Sequence, residues 1–442
     1  MTDTIAPVVA LEQELRELLG DRAVSAEPRI RERASVDGAW MSPILSAQLP
    51  LGLADLVAFP TSAEQIAAVV GAASRHGVGI TVRGKGTGNY GQGIPLHGGL
   101  VIDTTRARAV VEVGDGFLTA EAGATMVTME QAAWASDQAL WMYPSTTQST
   151  IGGFLAGGSG GTGTIEHGAN HQGFVLALDV VHADGSGELV HVEGDEAQAY
   201  VHNYGTAGVI ARATVRLEPL RDWRGLYASF PDFPSALSVL REIGLLEPRP
   251  RLVSADNPDI SAALPADDAI PAGRTSMRII LSADTIEAAT ALIDRAGGRV
   301  EALRDGPQTS MRISMLSYNH PIEWLQKSTD VPTFHVEVSG DALVERIAEV
   351  EAVYPDGKLH IEAGHGVPIG MLAGRYESPE QVYAGIAALN ELGVGVHNPH
   401  QWNVDFGVER TVELAASTDP RGLLNPGKLN AEYAGPRKGA IR

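Results

Sequence analysis

No cysteine occurs among the 442 residues. That absence excludes disulfides, cysteine-ligated zinc, iron–sulfur clusters and any cysteinyl link to a prosthetic group, and it suits a reducing compartment. Positive charge is also scarce: 33 lysines and arginines face 54 aspartates and glutamates, a net charge of −21. So acidic a chain repels nucleic acid and anionic membrane surfaces, and no basic stripe offsets this. The longest uncharged run, Ala139 to Ile165, is too rich in glycine, serine and threonine for a membrane span. The opening "MTDTIAPVVALEQELRELLGDRAV" carries no basic leader or cleavage site, and Leu11, Leu15, Leu18 and Leu19 predict an amphipathic helix instead. A soluble, cytoplasmic protein without nucleic-acid or membrane partners is expected. At 44% hydrophobic and 20% charged residues, the chain has an ordinary globular composition, and its length suggests two or three domains.

What the chain has in abundance is glycine. In "ITVRGKGTGNYGQGIPLHGGLVID" (80–103), Gly84, Gly86, Gly88, Gly91 and Gly93 crowd between two apolar runs. The strand "LVAFP" (56–60) precedes them. Next comes a helix opened by a capping box, Thr61 with Glu64 or Ser62 with Gln65, and then the strand "GITVRG", making a β-α-β unit. Beyond the loop, "GLVID", "AVVEV" and "FLTAEAGA" read as strands, Thr125–Gln138 as a helix, 174–192 as a hairpin turning at 184–187, and 208–220 as one more strand. From about Asp222 to Asp405 strands ("MRIILSA", "TFHVEVSG", "KLHIEAG") alternate with helices (285–296, 341–353, 379–392). This change of texture predicts a second α+β domain.

Gly86–Gly91 and Gly158–Gly163 both fit G-x-G-x-x-G. The dinucleotide fingerprint also demands a helix directly after the loop, and none is expected after either; a G-x-x-x-x-G-K-[ST] loop does not occur. A strand–loop–strand nest remains, in which consecutive backbone amides curl around an anion. Arg83 and Lys85 add charge there, and Thr87 and Asn89 add donors. The second loop, "PSTTQSTIGGFLAGGSGGTGTIEHG" (144–168), is uncharged until Glu166 yet dense in hydroxyls, Ser159 among them. It suits a flat, neutral heteroaromatic lying on Gly152–Gly153 with amides aimed at its oxygens and nitrogens. A permissive tight turn and a flexible linker are the bland alternatives.

"RGKGTGNYGQ", the second loop, "VLALDVVHADG", "GTAGVIARATVRL" and "LLNPGKLN" resemble, in order and spacing, the FAD-binding domain of the vanillyl-alcohol oxidase / p-cresol methylhydroxylase superfamily. The likeness covers roughly residues 50–220 and the C-terminal tail. It implies an α+β fold: a two-subdomain PCMH-type FAD-binding domain (1–221 and 406–442) under an α+β substrate, or cap, domain with an antiparallel sheet (222–405). It further implies that Arg83, Gly84, Lys85, Gly86, Thr87, Gly88, Asn89 and Tyr90 wrap the pyrophosphate. Pro144, Thr146, Thr147, Gly152 and Gly153 would run along the ring and ribityl chain. Gly160, Gly163, Thr164 and Ile165 would close over the pyrophosphate and ribose, with Val209 and Ile210 flanking the adenine and Lys428 near the flavin or on the surface. Members with a covalent flavin carry a histidine in the first loop. None lies between Arg83 and Ile94, so noncovalent FAD is favoured, with a link from His97 or the second domain left open.

In that family the second domain covers the flavin. "GVGVHNPHQWNVDFG" (393–407) places His397, His400 and Trp402 at the domain junction, where either histidine could act as general base, although domain packing is the commoner fate of a single histidine. His360, Glu362 and His365 form a low-specificity ligand pattern, and no metal is expected. "SYNH" (317–320) and Arg312 could also face the pocket. The expected activity is oxidation of an alcohol, hydroxy acid or phenol by hydride transfer, with O₂ or another acceptor reoxidising the flavin; a small residue near Ala122 leans towards oxidase. The alternative is a noncatalytic or electron-transfer flavin subunit of a larger complex. A homodimer would be usual for a flavoprotein of this size.

Overall fold

Helix Ala63–His76 shows how local sequence sets the frame. Ser62 caps it, its Oγ accepting the Gln65 amide at 3.3 Å, while the Gln65 side chain reaches back to the Thr61 amide at 2.8 Å. Gly77 ends it in the left-handed region at φ 69°, where a side chain would be strained. Ile66, Val69, Val70 and Ala73 are buried against Leu11 and Leu15 of the N-terminal helix Ile5–Leu19. The computed structural model describes residues 5–158 and 160–430; Ser159 lies outside the described residues.

Three sheets follow. Strands Val24–Ser25, Leu56–Ala58, Leu100–Asp103 and Ile80–Arg83 form the first in that order, with the last three parallel. The chain returns at Leu424 to extend its edge: the Ile80 amide donates to Leu423 O at 2.7 Å, and the Asn425 amide donates to Ile80 O. The second sheet is antiparallel, ordered Val110–Gly114, Phe117–Glu121, Val209–Pro219, Val175–Val181 and Val190–Glu193, with Gln138–Leu140 also pairing with the long strand 209–219. The third has eight antiparallel strands, Trp223–Phe230 to Gly395–His397 in sequence, and helices such as Phe233–Gly244 pack on its apolar face. The fold is thus α+β, as the sequence predicts. No helix among the described residues is long and apolar enough to cross a membrane.

Three local expectations fail. The helix expected over 341–353 is two short ones, Ala342–Glu345 and Ile347–Glu351, because Arg346 leaves helical geometry at φ −130°. The helix expected over 125–138 stops at Trp134, and Asp137 turns the chain at φ 54° into strand 138–140. The second glycine-rich loop contains helices: Thr150 caps Ile151–Gly157, and a single turn, Thr164–His167, follows Gly163. Glycine's low helix propensity hides the first of these in sequence, and burial of Ile151, Phe154 and Leu155 overrides it.

Candidate functional site

A cavity of about 1000 Å³ opens at the C-terminal ends of the parallel strands and runs between the second and third sheets. Its lining includes every residue from Arg83 to Tyr90. Among the described residues, the amides of Lys85 to Asn89 donate no hydrogen bond within the chain, whereas Tyr90 N bonds Gln92 Oε1. Consecutive free amides on a cavity wall can curl around an anion. Close approach explains the glycines: a Cβ on Gly84 would lie 2.0 Å from Thr150 Oγ1, and Gly86 has φ 68°. Hydroxyls tie the two loops together, Thr87 Oγ1 lying 2.8 Å and Thr146 Oγ1 2.6 Å from Ser149 Oγ.

Arg83 does not spend its charge as expected. Its guanidinium donates to the carbonyls of Arg33 at 2.8 Å and Val36 at 3.2 Å, bracing the loop from behind. Gly152 and Gly153 do line the cavity, but their amides are already committed, to Ala122 O at 2.9 Å and Thr150 Oγ1 at 3.3 Å. A flat ring can therefore rest on this backbone, but those amides cannot bond its heteroatoms; the Ala122 carbonyl and the Thr150 cap already hold them. Pro144, Thr146, Gly160, Thr164, Val209 and Ile210 share the lining.

Thr147, Gly163, Ile165 and Lys428 stand behind it. Thr147 O accepts the Val127 amide at 2.9 Å, Gly163 packs on Trp141 O, and Ile165 joins the core of the third sheet. Lys428 is fully buried, its Nζ donating to Gly91 O and, at 3.0 Å, to Ile94 O. Burial pushes its pKa down to about 7, opposed by Asp37 on the cavity wall. It therefore clamps the exit of the first loop. His97 is exposed and outside the lining.

Beside Tyr90, which follows Asn89 in the first loop, His397 joins Glu337 to Asp405. Its Nδ1 lies 2.8 Å from Glu337 Oε2 and its Nε2 2.6 Å from Asp405 Oδ2, while Tyr90 donates its hydroxyl to Glu337 Oε1. Since both ring nitrogens face carboxylates, both carry protons. Burial opposes that charge, but Glu337 and Asp405 outweigh it and hold the His397 pKa well above its usual value. For Glu337 burial is likewise overcome, by His397 and Tyr90, and its pKa falls to about 2. A depressed carboxylate stabilises above its unfolded pKa of about 4.3 and loses that stabilisation as pH falls towards 2; the raised histidine stabilises below about 6.5 and loses it on the alkaline side. Glu337→Gln is expected to remove roughly 2–3 kcal/mol of the fall in unfolding free energy between those acid limits. Urea unfolding at a series of pH values checks this, and an unchanged acid slope would refute it.

His400 lies behind the wall, 2% exposed, its Nδ1 2.7 Å from Ser42 Oγ, and burial drives its pKa down to about 3. Trp402 packs beside Ala39, Leu45 and Ile94, also outside the lining. His320 does reach the cavity: its Nδ1 is 3.2 Å from Glu323 Oε2, and its buried Nε2 has no partner. His360 is locked in a buried network, Nδ1 2.7 Å from Asp256 and Nε2 2.9 Å from Glu362, with Arg278 on Asp256. Each carboxylate there already has a cationic partner. Glu166, His167 and Glu218 also converge, but Arg221 pairs with both carboxylates. Sequence reasoning passed over Glu337 and Asp405. A carboxylate within the apolar strand "TFHVEVS" was the available signal for Glu337; nothing local marks Asp405.

Fold and site together suit an FAD-binding protein, with a strand–loop–strand run of free amides on the cavity wall. Residues 54–192 match the FAD binding domain family. The D-lactate dehydrogenase of Archaeoglobus fulgidus is 28% identical over 199 residues, 42% of this chain and 44% of that protein. The glycolate oxidase subunit GlcD of Bacillus subtilis is 25% identical over 442 residues, 88% of this chain and 91% of that one. The match thus spans less than half the first relative and nearly all the second. An alkyldihydroxyacetonephosphate synthase structure superposes with TM-score 0.75 over 94% of this chain and 86% of that chain, at 15% identity, which shows a shared fold. Residues 54–192 thus form an FAD-binding domain of PCMH type, and the chain's relatives are FAD-linked oxidoreductases. Its cofactor is FAD.

Proposed function

We propose that the chain oxidises a hydroxyl-bearing small molecule, an alcohol, a hydroxy acid or a phenol, with FAD bound noncovalently. Residues 1–221 and 406–442 hold the cofactor, and residues 222–405 cover the substrate. The observation that carries this reading is the continuity of the cavity: one space joins the free amides of Lys85–Asn89 to the polar groups of Tyr90, His320, Glu337 and Asp405. Flavin and substrate would share it with little room for water. The relatives' names, D-lactate dehydrogenase and glycolate oxidase subunit, support hydroxyl oxidation.

When bound, FAD supplies the hydride acceptor at N5, and O₂ or another acceptor takes the electrons afterwards. The protein must orient the hydroxyl and take its proton. His397 does not suit that role, because both its nitrogens are already protonated and paired. His320 suits it better: it lines the cavity, Glu323 fixes its ring through Nδ1, and its Nε2, buried, has no protein partner competing for a proton, as a general base requires. His320→Gln is expected to slow flavin reduction about 10²-fold or more while leaving FAD content unchanged. Stopped-flow bleaching of the flavin's visible band under anaerobic conditions measures it.

The same assay tests the function. Anaerobic addition of a panel of alcohols, hydroxy acids and phenols should bleach the flavin with at least one of them. A colour that persists across the panel, yet is lost with dithionite, would favour the noncatalytic subunit reading, to which the word "subunit" in the name of the GlcD relative lends weight.

A further inference from the structure

The exit of the first loop, residues 91–94, is held from outside by three side chains. Lys428 Nζ donates to Gly91 O and, at 3.0 Å, to Ile94 O. Asn425 Nδ2 donates to Gln92 O at 3.0 Å and to Tyr204 O at 2.8 Å. Asp37 accepts the Gly93 amide through Oδ2 at 3.4 Å and the Ala39 amide through Oδ1 at 2.9 Å. Asp37, Gln92 and Gly93 line the cavity, so Lys428 grips this wall from directly behind it. The tail that carries Asn425 and Lys428 is itself fixed, by its pairing with Ile80 and by the Val404 amide, which donates to Lys428 O at 2.8 Å.

Among the described residues the buried basic side chains are Arg251, Arg278 and Lys428. Arg251 is ion-paired with Glu130 and Arg278 with Asp256, whereas Lys428 bonds carbonyl oxygens and has no carboxylate at ion-pair distance. A buried cation without a counter-charge is costly, and a methionine would fill the same space without that cost. The cost falls when an anion enters the neighbouring cavity, and FAD brings one in its pyrophosphate. The charged or titratable groups around Lys428 are Asp37, Arg83 beside Asp37, and the exposed His97 against Gly427. Burial pushes the Lys428 pKa down to about 7 against the pull of Asp37, so without FAD the amine is only partly charged at neutral pH.

We infer that Lys428 is a positioning residue for FAD, acting through residues 91–94, and that it takes up a proton as the cofactor binds. This needs FAD in the cavity but not the oxidation reading above. The sign follows from charge. Pyrophosphate favours the charged amine, so binding FAD tightens the hold of Lys428 on its proton, and by reciprocity the proton tightens the hold on FAD. Affinity is therefore full on the acid side of neutrality and falls as the amine of the FAD-free protein deprotonates.

Titration of the flavin-depleted full chain with FAD, followed by flavin fluorescence from about pH 6 to about pH 8.5, tests this. The wild-type Kd is expected to rise about tenfold across that range, and Lys428→Met to start about tenfold weaker and stay flat. Asp37→Asn keeps an acceptor for both amides but removes the carboxylate that favours the charged amine, so its profile should move to lower pH. Calorimetry near neutral pH, in two buffers of different ionisation enthalpy, should show wild type taking up roughly half a proton per FAD. A flat wild-type profile, a Lys428→Met profile parallel to it, or proton release overturns the inference; a parallel profile would assign the titration to lining histidines such as His171 and His202. If Lys428→Met does not fold, Asp37→Asn decides, and an unmoved midpoint there overturns the inference as well.

Discussion

Gly84→Val protein is expected to purify folded and colourless, with FAD affinity lowered at least about 100-fold. The wild-type backbone at 84 passes so close to the second loop that a Cβ would lie 2.0 Å from Thr150 Oγ1 and 3.0 Å from Thr150 Cβ. Neither neighbour is a free end: Thr150 caps helix Ile151–Gly157, and its Oγ1 accepts the Gly153 amide. The added bulk must therefore push the two loops apart or unwind the cap, breaking the Thr87–Ser149 contact that aligns them. A pyrophosphate bridged by amides on one loop and a ring lying on the other needs that alignment to within a fraction of an ångström. The effect should fall on binding because Gly84 and Thr150 both stand on the cavity wall. Absorbance of the purified protein, before and after incubation with FAD, decides the point, and yellow protein with wild-type affinity would refute the nest.

Arg251→Leu is expected to lower unfolding stability by about 3–5 kcal/mol, more than any other single substitution discussed here. Arg251 is 3% exposed; its guanidinium meets Glu130 Oε1 at 3.0 Å, donates to Leu140 O and lies 3.8 Å from Glu218. Its own carbonyl accepts the Gly163 amide at 2.8 Å. Arg251 precedes strand Leu252–Asp256 of the third sheet, whereas Glu130, Leu140 and Gly163 belong to the part that holds the cofactor. The residue thus bolts the two parts together, and its loss strands the Glu130 carboxylate, 1% exposed, without a counter-charge. Adding Glu130→Leu should recover much of the loss, since the penalty comes from the uncompensated charge rather than from the missing attraction. Urea unfolding of both single variants and the double variant tests this; strictly additive losses would contradict it.

The loop that lines the cavity from Arg83 to Tyr90 was legible in the chain. Five glycines within ten residues, flanked by apolar strands and followed by no helix, leave few options except a backbone nest. Glycine is required where atoms approach closely, whatever the wider fold. The substrate end was harder. His397 and His400 look alike in "HNPHQWN", yet one becomes an imidazolium held between two carboxylates and the other a neutral ring against Ser42. Their fates are set by Glu337, 60 residues away, and Ser42, 358 residues away. Lys428 illustrates the same limit: the sequence left it between the flavin and the surface, and in the fold it is buried on the backbone carbonyls of Gly91 and Ile94.

The sequence by itself determined the α+β class, the β-α-β start, the glycine-rich loop after it and the absence of cysteine chemistry. These depend on near neighbours, on backbone freedom and on the hydrophobic period. Only the tertiary structure decided which histidine is charged and which amides are already engaged. Those properties belong to contacts between segments far apart in the chain, where burial and the partner's charge, not the residue's own type, fix protonation and hydrogen bonding.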